Sequence, residues 1–364
     1  MTVRVLRSVS ELEEVSERWA TLADSARARH NMQPFWCLPW WTHLGHGELH
    51  VAVVETSDQL VALAPLYRQP LLGVDTRCFL GSWLLGVAEV LVAPGQEEAG
   101  EELWDHLLTL PRSVLDLRQF RLASGGMDAL RRVEDHPWHG ELGPASPFVA
   151  ITGSWEDYWA SRRRNFRRDL DRKERLAANE GVPVGIRVAF DPADVAKLVP
   201  DAAHVFDAAE RHRPMLHFLA GTMRPFTIDV LNRAAEQSRL ALFVLYLGDH
   251  PVATSFTFRC GDLMGGGGLR FDHAFSRFSP GQLLFRRILE HAFTTGCVEF
   301  DFGPRDAPYK REWSTGIYDT LQISAFSSPA VRALHLGSAV INSTRRKVRL
   351  APMVKMAKGL ASKR

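Results

Sequence analysis

Three features are scarce or absent in this sequence, and each argues against a class of protein. The four cysteines, Cys37, Cys78, Cys260 and Cys297, lie far apart and form no C-x-x-C pair, which argues against a zinc ribbon or a disulfide framework. No apolar run approaches the about 20 residues that a membrane-spanning helix needs. The 44 basic and 42 acidic side chains nearly cancel to a net charge of +2, unlike the uniform cationic surface of a nucleic-acid coat protein.

The N-terminal residues lack the charged start, apolar centre and small-residue cleavage site of an export signal. Together with the scattered cysteines, this predicts a cytoplasmic protein. His204 and His212 lie eight residues apart on one predicted helix, a spacing that suits surface or core positions better than a metal site. We therefore predict that the protein binds no metal.

Helix and strand patterns alternate in both halves of the chain. A length of 364 residues predicts about two domains at roughly 150 residues each. Residues 155–180 predict one long basic helix that ends at Gly181, where glycine suits the left-handed cap. The predicted organisation is an N-terminal unit over residues 1–153, a basic connecting helix over 154–181, a C-terminal unit over 182–330 and a basic tail over 331–364. The element order predicts an α/β fold of the α+β type, with mixed sheets covered by helices on both faces.

Several local patterns carry specific predictions. Apolar residues at three- and four-residue steps predict one helix over residues 9–22, with Ser10 as its N-cap. The aromatic segment 34–44 predicts a short buried helix, and residues 49–55 and 60–67 predict an antiparallel hairpin. A strand over residues 262–270 contains four consecutive glycines, which predict either a bulge or a close approach of a ligand to the backbone.

The segment around residue 280 predicts the start of a helix that can bind an anion. Ser279 is a candidate cap, Pro280 suits the first helical turn, and Gly281 with Gln282 leaves the first amides uncovered by bulky side chains. Unpaired amides and the positive end of the helix dipole converge at such a start, so a pyrophosphate would fit there. An ordinary helix start with a proline explains the same residues.

A second segment, residues 297–313, gathers groups suited to proton transfer. Strand alternation puts Glu299 and Asp301 on one face of a predicted strand. Tyr309 and Lys310 follow beyond its carboxyl end, where sites in open α/β sheets lie. Two acids, a phenol and an ammonium can move protons and hold a developing oxyanion. The alternative is that Lys310 forms a structural ion pair with an acid.

These two segments resemble the signature of the BioF2-like or CelD-like acetyltransferases, a branch of the GNAT superfamily related to the FemAB peptidyltransferases. The resemblance rests on Phe278-Ser-Pro-Gly-Gln-Leu-Leu before a helix, on Phe300-Asp-Phe-Gly and on Tyr309-Lys-x-x-Trp313. It implies a tandem pair of GNAT-like acyl-CoA N-acyltransferase units, of which the second is better equipped for catalysis. It also implies acyl transfer from acetyl-CoA or another acyl-CoA, as co-substrate, to an amine or hydroxyl of a small-molecule or glycan acceptor.

The resemblance further implies roles for individual residues. Tyr309 would protonate the leaving thiolate, and Lys310 would stabilise anionic charge. From the residues themselves, we expect Asp301 or Glu299 to orient or deprotonate the acceptor, directly or through water. The standard GNAT loop, Arg/Gln-x-x-Gly-x-Gly/Ala, is present only in part. The residues that would hold the donor at the helix start are Ser279, Gly281, Gln282, Leu283 and Leu284.

The basic segment and the tail carry cationic side chains without an assigned partner. Arg164, Arg167 and Arg168 are candidates to clamp a phosphate of the substrate, although pairing with neighbouring acids explains such arginines equally well. The tail beyond Arg345 contains no acidic residue. It predicts either peripheral contact with an anionic membrane or a solubilising extension.

Two alternatives to an acyl-CoA-dependent enzyme remain open at this stage. A FemAB-like transferase would use aminoacyl-tRNA as donor, which the incomplete glycine loop and the basic segment favour and the near-neutral charge does not; otherwise no nucleic-acid partner is predicted. A non-catalytic scaffold for the synthesis of an envelope polysaccharide, with its basic tail on a membrane, is the other alternative.

Overall fold

A computed structural model describes residues 2–57, 59–71, 74–81, 86–133, 138–212 and 216–333. Nearly all of the predicted basic tail therefore lies outside the described residues. No helix within the described ranges is both long enough and apolar enough to cross a bilayer.

The strands predicted over residues 49–55, 60–67 and 262–270 are confirmed within a few residues. In chain order the strands of the described residues are β1 (Val3–Leu6), β2 (Glu48–Thr56), β3 (Gln59–Leu71), β4 (Val74–Phe79), β5 (Leu91–Val92), β6 (Ser113–Arg121), β7 (Trp138–Leu142), β8 (Ser146–Ala150), β9 (Val184–Ala189), β10 (Leu240–Leu247), β11 (His250–Cys260), β12 (Leu263–Phe271), β13 (Glu299–Asp301), β14 (Gly316–Tyr318) and β15 (Thr320–Phe326).

The helices lie between these strands. In chain order they are α1 (Val9–Glu14), α2 (Ser16–Ser25), α3 (Pro34–Leu44), α4 (Glu97–Thr109), α5 (Gly125–Arg132), α6 (Trp155–Ser161), α7 (Arg164–Asn179), α8 (Pro192–His212), α9 (Met223–Glu236), α10 (Pro280–Thr294) and α11 (Pro308–Trp313).

The strands form two mixed sheets, as the α/β prediction requires. The first has the order β1-β2-β3-β4-β6-β15-β7, with β5 paired to β3, and the second has the order β14-β8-β13-β12-β11-β10-β9. The two sheets exchange strands, because β15 from near the chain's end joins the first sheet and β8 joins the second. The domain boundaries at residues 153, 181 and 330 stay a prediction. Each sheet contains strands from both sides of residue 153.

The predicted helix over residues 9–22 is wrong in its continuity and in its cap. Val15, with φ −97° and ψ 0°, separates α1 from α2. Ser8, and not Ser10, caps α1: the Ser8 hydroxyl accepts a bond from the Glu11 amide at 3.3 Å, and the Glu11 carboxylate accepts one from the Ser8 amide at 2.9 Å. This reciprocal capping box lies at the N-terminus of α1 and places the cap two residues before the predicted Ser10.

The single basic helix predicted over residues 155–180 is also wrong, because the chain is extended at Arg162 and Arg163 between α6 and α7. Long-range contacts explain the break. The Arg162 guanidinium donates to the carbonyls of Trp313, at 3.2 Å, and Ser314, at 2.9 Å, and it lies over the Tyr158 ring. Gly181 does take the left-handed conformation, with φ +74°, as predicted.

The buried helix α3 joins the two halves of the molecule. Its Trp36 ring contacts Phe226 of α9 and Phe258 of β11, with ring centroids 5.3 and 5.9 Å apart. All three side chains are almost completely buried. This shared core fixes the first sheet and its helices against the second sheet, where the candidate site lies.

Candidate functional site

The site is a cleft that opens where two parallel strands separate. β12 and β13 pair over three positions only, from Leu263 opposite Glu299 to Gly265 opposite Asp301. β12 then continues to Phe271, while the other strand ends and the chain turns at Gly303, with φ +73°. The resulting cleft has a volume of about 420 Å³. It lies beyond the carboxyl ends of parallel strands, where open α/β sheets bind their ligands.

The glycine run of β12 forms one wall of the cleft. A side chain at Gly266 would begin 2.3 Å from the Phe256 carbonyl oxygen, and one at Gly268, where φ is +71°, would begin 2.5 Å from the Phe256 ring. Register also shifts between Thr254 and Phe256 on the neighbouring strand. The irregular register supports the bulge. The close approach of a ligand stays a prediction, for which the backbone is bare where it lines the cleft.

Tyr309 and Lys310, both predicted site residues, line the opposite wall. The Tyr309 side chain is 40% exposed, and its ring stacks on Phe285 of α10 at 5.7 Å. Burial raises the pKa of the Tyr309 phenol, although the nearby Arg270 cation opposes that shift. The phenol is therefore protonated at neutral pH, as a general acid must be.

Lys310 is buried, and its ammonium is held by the loop that follows β13. Its Nζ donates to the carbonyl of Gly303, at 2.9 Å, and to that of Pro304, at 3.2 Å. Burial lowers its pKa to about 8, although Asp301 and Asp306 oppose the shift. The hydrogen bonds do not show the predicted alternative, a structural ion pair, because both acceptors are carbonyl oxygens.

Asp301 and Glu299 lie on one face, as strand alternation predicted, but neither lines the cleft. They contact Arg29 instead. The Arg29 Nε atom lies 2.6 Å from Asp301 Oδ2, and its Nη2 atom lies 2.5 Å from Glu299 Oε1. Asp301 also accepts bonds from the Tyr318 hydroxyl, the Ser146 hydroxyl at 3.0 Å and the Gly303 amide at 2.7 Å.

These contacts keep Asp301 ionised within the protein. Burial alone would raise the pKa of its carboxyl, but the Arg29 cation and the hydrogen bonds from Tyr318, Gly303 and Ser146 outweigh burial and lower it. Because both carboxylate oxygens are already engaged, Asp301 holds the loop at Gly303, whose carbonyl in turn holds Lys310. Sequence reasoning missed Arg29, since it lies 272 positions from Asp301 and no local pattern marks it.

The predicted donor residues all lie at the start of α10. Ser279 has left-handed backbone angles, φ 54° and ψ 50°, and its side chain makes no capping bond, so its prediction as a cap is wrong. The Gln282 side chain accepts a bond from Trp313 Nε1 at 2.6 Å, and the Leu283 and Leu284 side chains are buried in the core. A side chain at Gly281 would begin 3.1 Å from the Phe271 ring. The helix start is thus close-packed, and Phe285, one turn further on, lines the cleft.

The three candidate arginines of α7 lie outside the cleft. Arg164 and Arg168 are exposed, and neither has an ion pair with the described residues. Arg167 donates from Nε to the Arg162 carbonyl at 3.2 Å. The described ranges also contain no group of three or more histidine, cysteine, aspartate or glutamate side chains suited to a metal ion.

Comparisons with known proteins concern the fold and the domain type. Residues 164–311 match the family described as an acetyltransferase (GNAT) domain. The fold is similar to that of FemX, with a TM-score of 0.66, 10% identity and coverage of 92% of this chain and 99% of that one. It is also similar to L-PGS from Bacillus licheniformis, with a TM-score of 0.53, 11% identity and coverage of 87% and 94%. No curated protein matches the sequence.

Proposed function

We propose that the chain, whose residues 164–311 match the GNAT acetyltransferase domain, moves an acetyl or other acyl group from acyl-CoA to an amine or hydroxyl of a sugar, polysaccharide or cell-envelope precursor. The observation that carries this proposal is the cleft between β12 and β13, with Tyr309 on one wall and bare glycine backbone on the other. A thioester is a thin, extended group, and a cleft with a backbone wall suits it. The match to an acetyltransferase domain favours a transferase over the non-catalytic scaffold.

The donor would enter with its pyrophosphate at the start of α10 and its thioester in the cleft. Support comes from the single turn of helix that separates Gly281 from Phe285, which lines the cleft and stacks on Tyr309. The positive end of a helix of 15 residues favours an anion there. In this arrangement Gly281 lets the start of α10 pack closely against the Phe271 ring. The rest of the donor site at the helix start is formed by Ser279, Gln282, Leu283 and Leu284.

In the chemical step, the acceptor nitrogen or oxygen attacks the thioester carbonyl carbon, and the carbon–sulfur bond then breaks. The Tyr309 phenol gives its proton to the departing thiolate, and the proton lost by the acceptor goes to water in the cleft. The Lys310 ammonium stabilises the negative charge that develops on the carbonyl oxygen. With a pKa of about 8, it is mostly charged at neutral pH.

Asp301 and Glu299 have a supporting part in this proposal. The Arg29 ion pair fixes Asp301, Asp301 accepts from the Gly303 amide, and the Gly303 carbonyl accepts from Lys310. The chain of contacts would hold the Lys310 ammonium in one position. A direct role as base would require a carboxylate that lines the cleft, and neither acid does so.

The experiment that tests the donor is a thermal shift with acetyl-CoA, longer acyl-CoAs and free CoA. A ligand that binds only the folded state raises the melting temperature as its concentration exceeds Kd. Gly281→Phe should remove the rise in melting temperature. A side chain at Gly281 begins only 3.1 Å from the Phe271 ring and would disturb the helix start that holds the donor in this proposal. Gly185→Phe is the matched control, since a side chain at Gly185 begins 3.9 Å from its nearest neighbour. No shift with any thioester, or a full shift in Gly281→Phe, would contradict the donor site.

A second candidate function is aminoacyl transfer from tRNA, as in FemAB-like enzymes. The observation that favours it is the pair of exposed arginines, Arg164 and Arg168, without acidic partners among the described residues. This function predicts that tRNA binding weakens steeply as salt rises and that Arg164→Gln and Arg168→Gln weaken it further. Binding that does not respond to salt or to these variants would remove this candidate.

A further inference from the structure

The cleft has an unusual charge balance. Its lining includes three cationic side chains, Arg270, Arg305 and Lys310, and no aspartate or glutamate. The whole chain carries nearly equal numbers of basic and acidic residues, so the imbalance is local. Cations that line a cleft whose lining contains no carboxylate can bind an anion from outside the protein.

Arg270 is the best-defined of the three. Its Nη1 atom donates to the Leu269 carbonyl at 2.7 Å, and its Nη2 atom donates to the Leu216 carbonyl at 3.0 Å. Its guanidinium also lies over the Phe206 ring, 5.4 Å from the centroid. The described residues provide no carboxylate within ion-pair distance of it. Neutral contacts thus hold the guanidinium in place while its charge stays uncompensated.

Arg270 and the start of α10 lie on opposite faces of β12. Side chains alternate along a strand: Phe271 packs toward Gly281 of α10, whereas Arg270 packs toward Phe206 of α8. The donor phosphates proposed at α10 would therefore not meet Arg270. The remaining groups of a simple acyl-CoA that reach the cleft, the pantetheine amides and the thioester, carry no charge.

Two further residues that line the cleft have unusual backbone angles. Arg305, with φ +77°, and Gln119 of the first sheet, with φ +56°, are both in the left-handed region. Non-glycine residues held there are enriched at ligand sites, because the surrounding structure must stabilise the less favourable conformation. Arg305 is exposed at the cleft, where its charge adds to that of Arg270.

We propose that the cleft recognises a carboxylate or phosphate group next to the reacting centre, through Arg270 with Arg305. This inference rests on the proposed acyl transfer and names the class of its substrate. The anion has two sources of the same chemistry. It belongs either to the acceptor, as an amino acid or a phosphorylated amino sugar, or to the transferred acyl group, as in a dicarboxylic acyl-CoA.

The test compares matched probes that differ by one anionic group. Binding of 4-aminobutyrate against butylamine, and of glucosamine 6-phosphate against glucosamine, is measured by titration calorimetry on the full-length protein, alone and saturated with CoA. A second arm compares succinyl-CoA with acetyl-CoA. We expect the anionic member of at least one pair to bind about tenfold tighter or more, and Arg270→Gln to abolish that preference.

Controls separate charge from folding. Arg259→Gln removes an exposed arginine of β11 whose Nε also donates to a carbonyl, and it should keep the preference. Arg270→Lys keeps the charge without the planar fork and should keep part of it. Circular dichroism and melting temperature establish that each variant is folded.

Each outcome either supports the inference of an anion site or overturns it. A preference confined to the acyl-CoA arm assigns the anion to the acyl group, and one confined to the amine pairs assigns it to the acceptor. Equal binding within every pair, no binding of any probe, or a preference that survives in Arg270→Gln would overturn the inference. Failure of the proposed function is distinguishable, because it appears as the absence of binding by free CoA and by every thioester, whereas the two amine pairs are also measured on the protein without CoA.

Discussion

Arg29 and Asp301 form a buried ion pair between opposite ends of the chain, with 2.6 Å between Nε and Oδ2. Arg29 follows α2 in the first half of the molecule, and Asp301 ends β13 in the second. Their side chains are 5% and 4% exposed. The pair therefore connects the first half to the loop that holds Lys310, and its integrity is a condition for the geometry of the cleft.

Removal of Arg29 should destabilise the protein strongly. Arg29→Met leaves the Asp301 carboxylate buried without its cation, which typically costs about 3–5 kcal/mol in the free energy of unfolding. Urea denaturation measures the loss. The control Arg4→Met breaks the more exposed Arg4–Glu55 pair and should cost about 1 kcal/mol or less. Equal losses in the free energy of unfolding would mean that the buried ion pair stabilises the protein no more than the exposed one does.

Glu89 should make the protein less stable as the pH rises from about 5 to 8. Burial raises its pKa from 4.5 to about 7 in the folded state. Between these values the folded state holds a proton that the unfolded state has lost, so the free energy of unfolding falls with rising pH. Glu89→Gln should remove this loss, a relative gain of about 3 kcal/mol at pH 8.

Denaturation curves at pH 5 and pH 8 check this prediction. Glu236→Gln, at an exposed position, is the control and should behave as the parent protein does at both pH values. If Glu89→Gln keeps the same difference between the two pH values as the parent, Glu89 does not bind the proton.

The charge of Lys310 should set the alkaline limit of activity. The pKa of Lys310 is about 8, so the ammonium is lost as pH rises through that value, and kcat should fall with it. Lys310→Arg should move the fall to higher pH, and Lys310→Ala should lower kcat by about 10²–10³-fold. Release of free thiol from acyl-CoA gives the rates, and the exposed Lys197→Ala serves as control. If the pH dependence of kcat is the same in Lys310→Arg as in the parent protein, a group other than Lys310 causes the fall.

The Tyr309 hydroxyl should matter for turnover and not for donor binding. Tyr309→Phe keeps the ring that stacks on Phe285 but cannot protonate the thiolate, so kcat should fall by about 10²–10⁴-fold. The Kd for acyl-CoA, from titration calorimetry, should stay unchanged. Tyr309→Ala removes the stack as well and should weaken binding. Full activity in both Tyr309→Phe and Lys310→Ala would exclude this site.

The sequence by itself determined many of the elements and the resemblance to GNAT acetyltransferases. Periodicity marks local structure, and so the hairpin of β2 and β3, the buried helix α3 and the glycine-containing strand β12 are confirmed close to their predicted bounds. The motifs around Gly281 and Tyr309 predicted a GNAT-type domain, and residues 164–311 do match the GNAT acetyltransferase domain. These features depend on residues near one another in the chain, where patterns are visible.

Only the tertiary structure decided the features that depend on distant contacts. The break at Arg162 comes from carbonyls of residues about 150 positions away, and the exchange of β8 and β15 between the sheets follows from pairing that no local pattern specifies. The same holds for the surroundings of Asp301. Its sequence position suggested a base, but the Arg29 side chain pairs with it in the fold, because a buried carboxylate is stable only with a cation and hydrogen-bond donors around it.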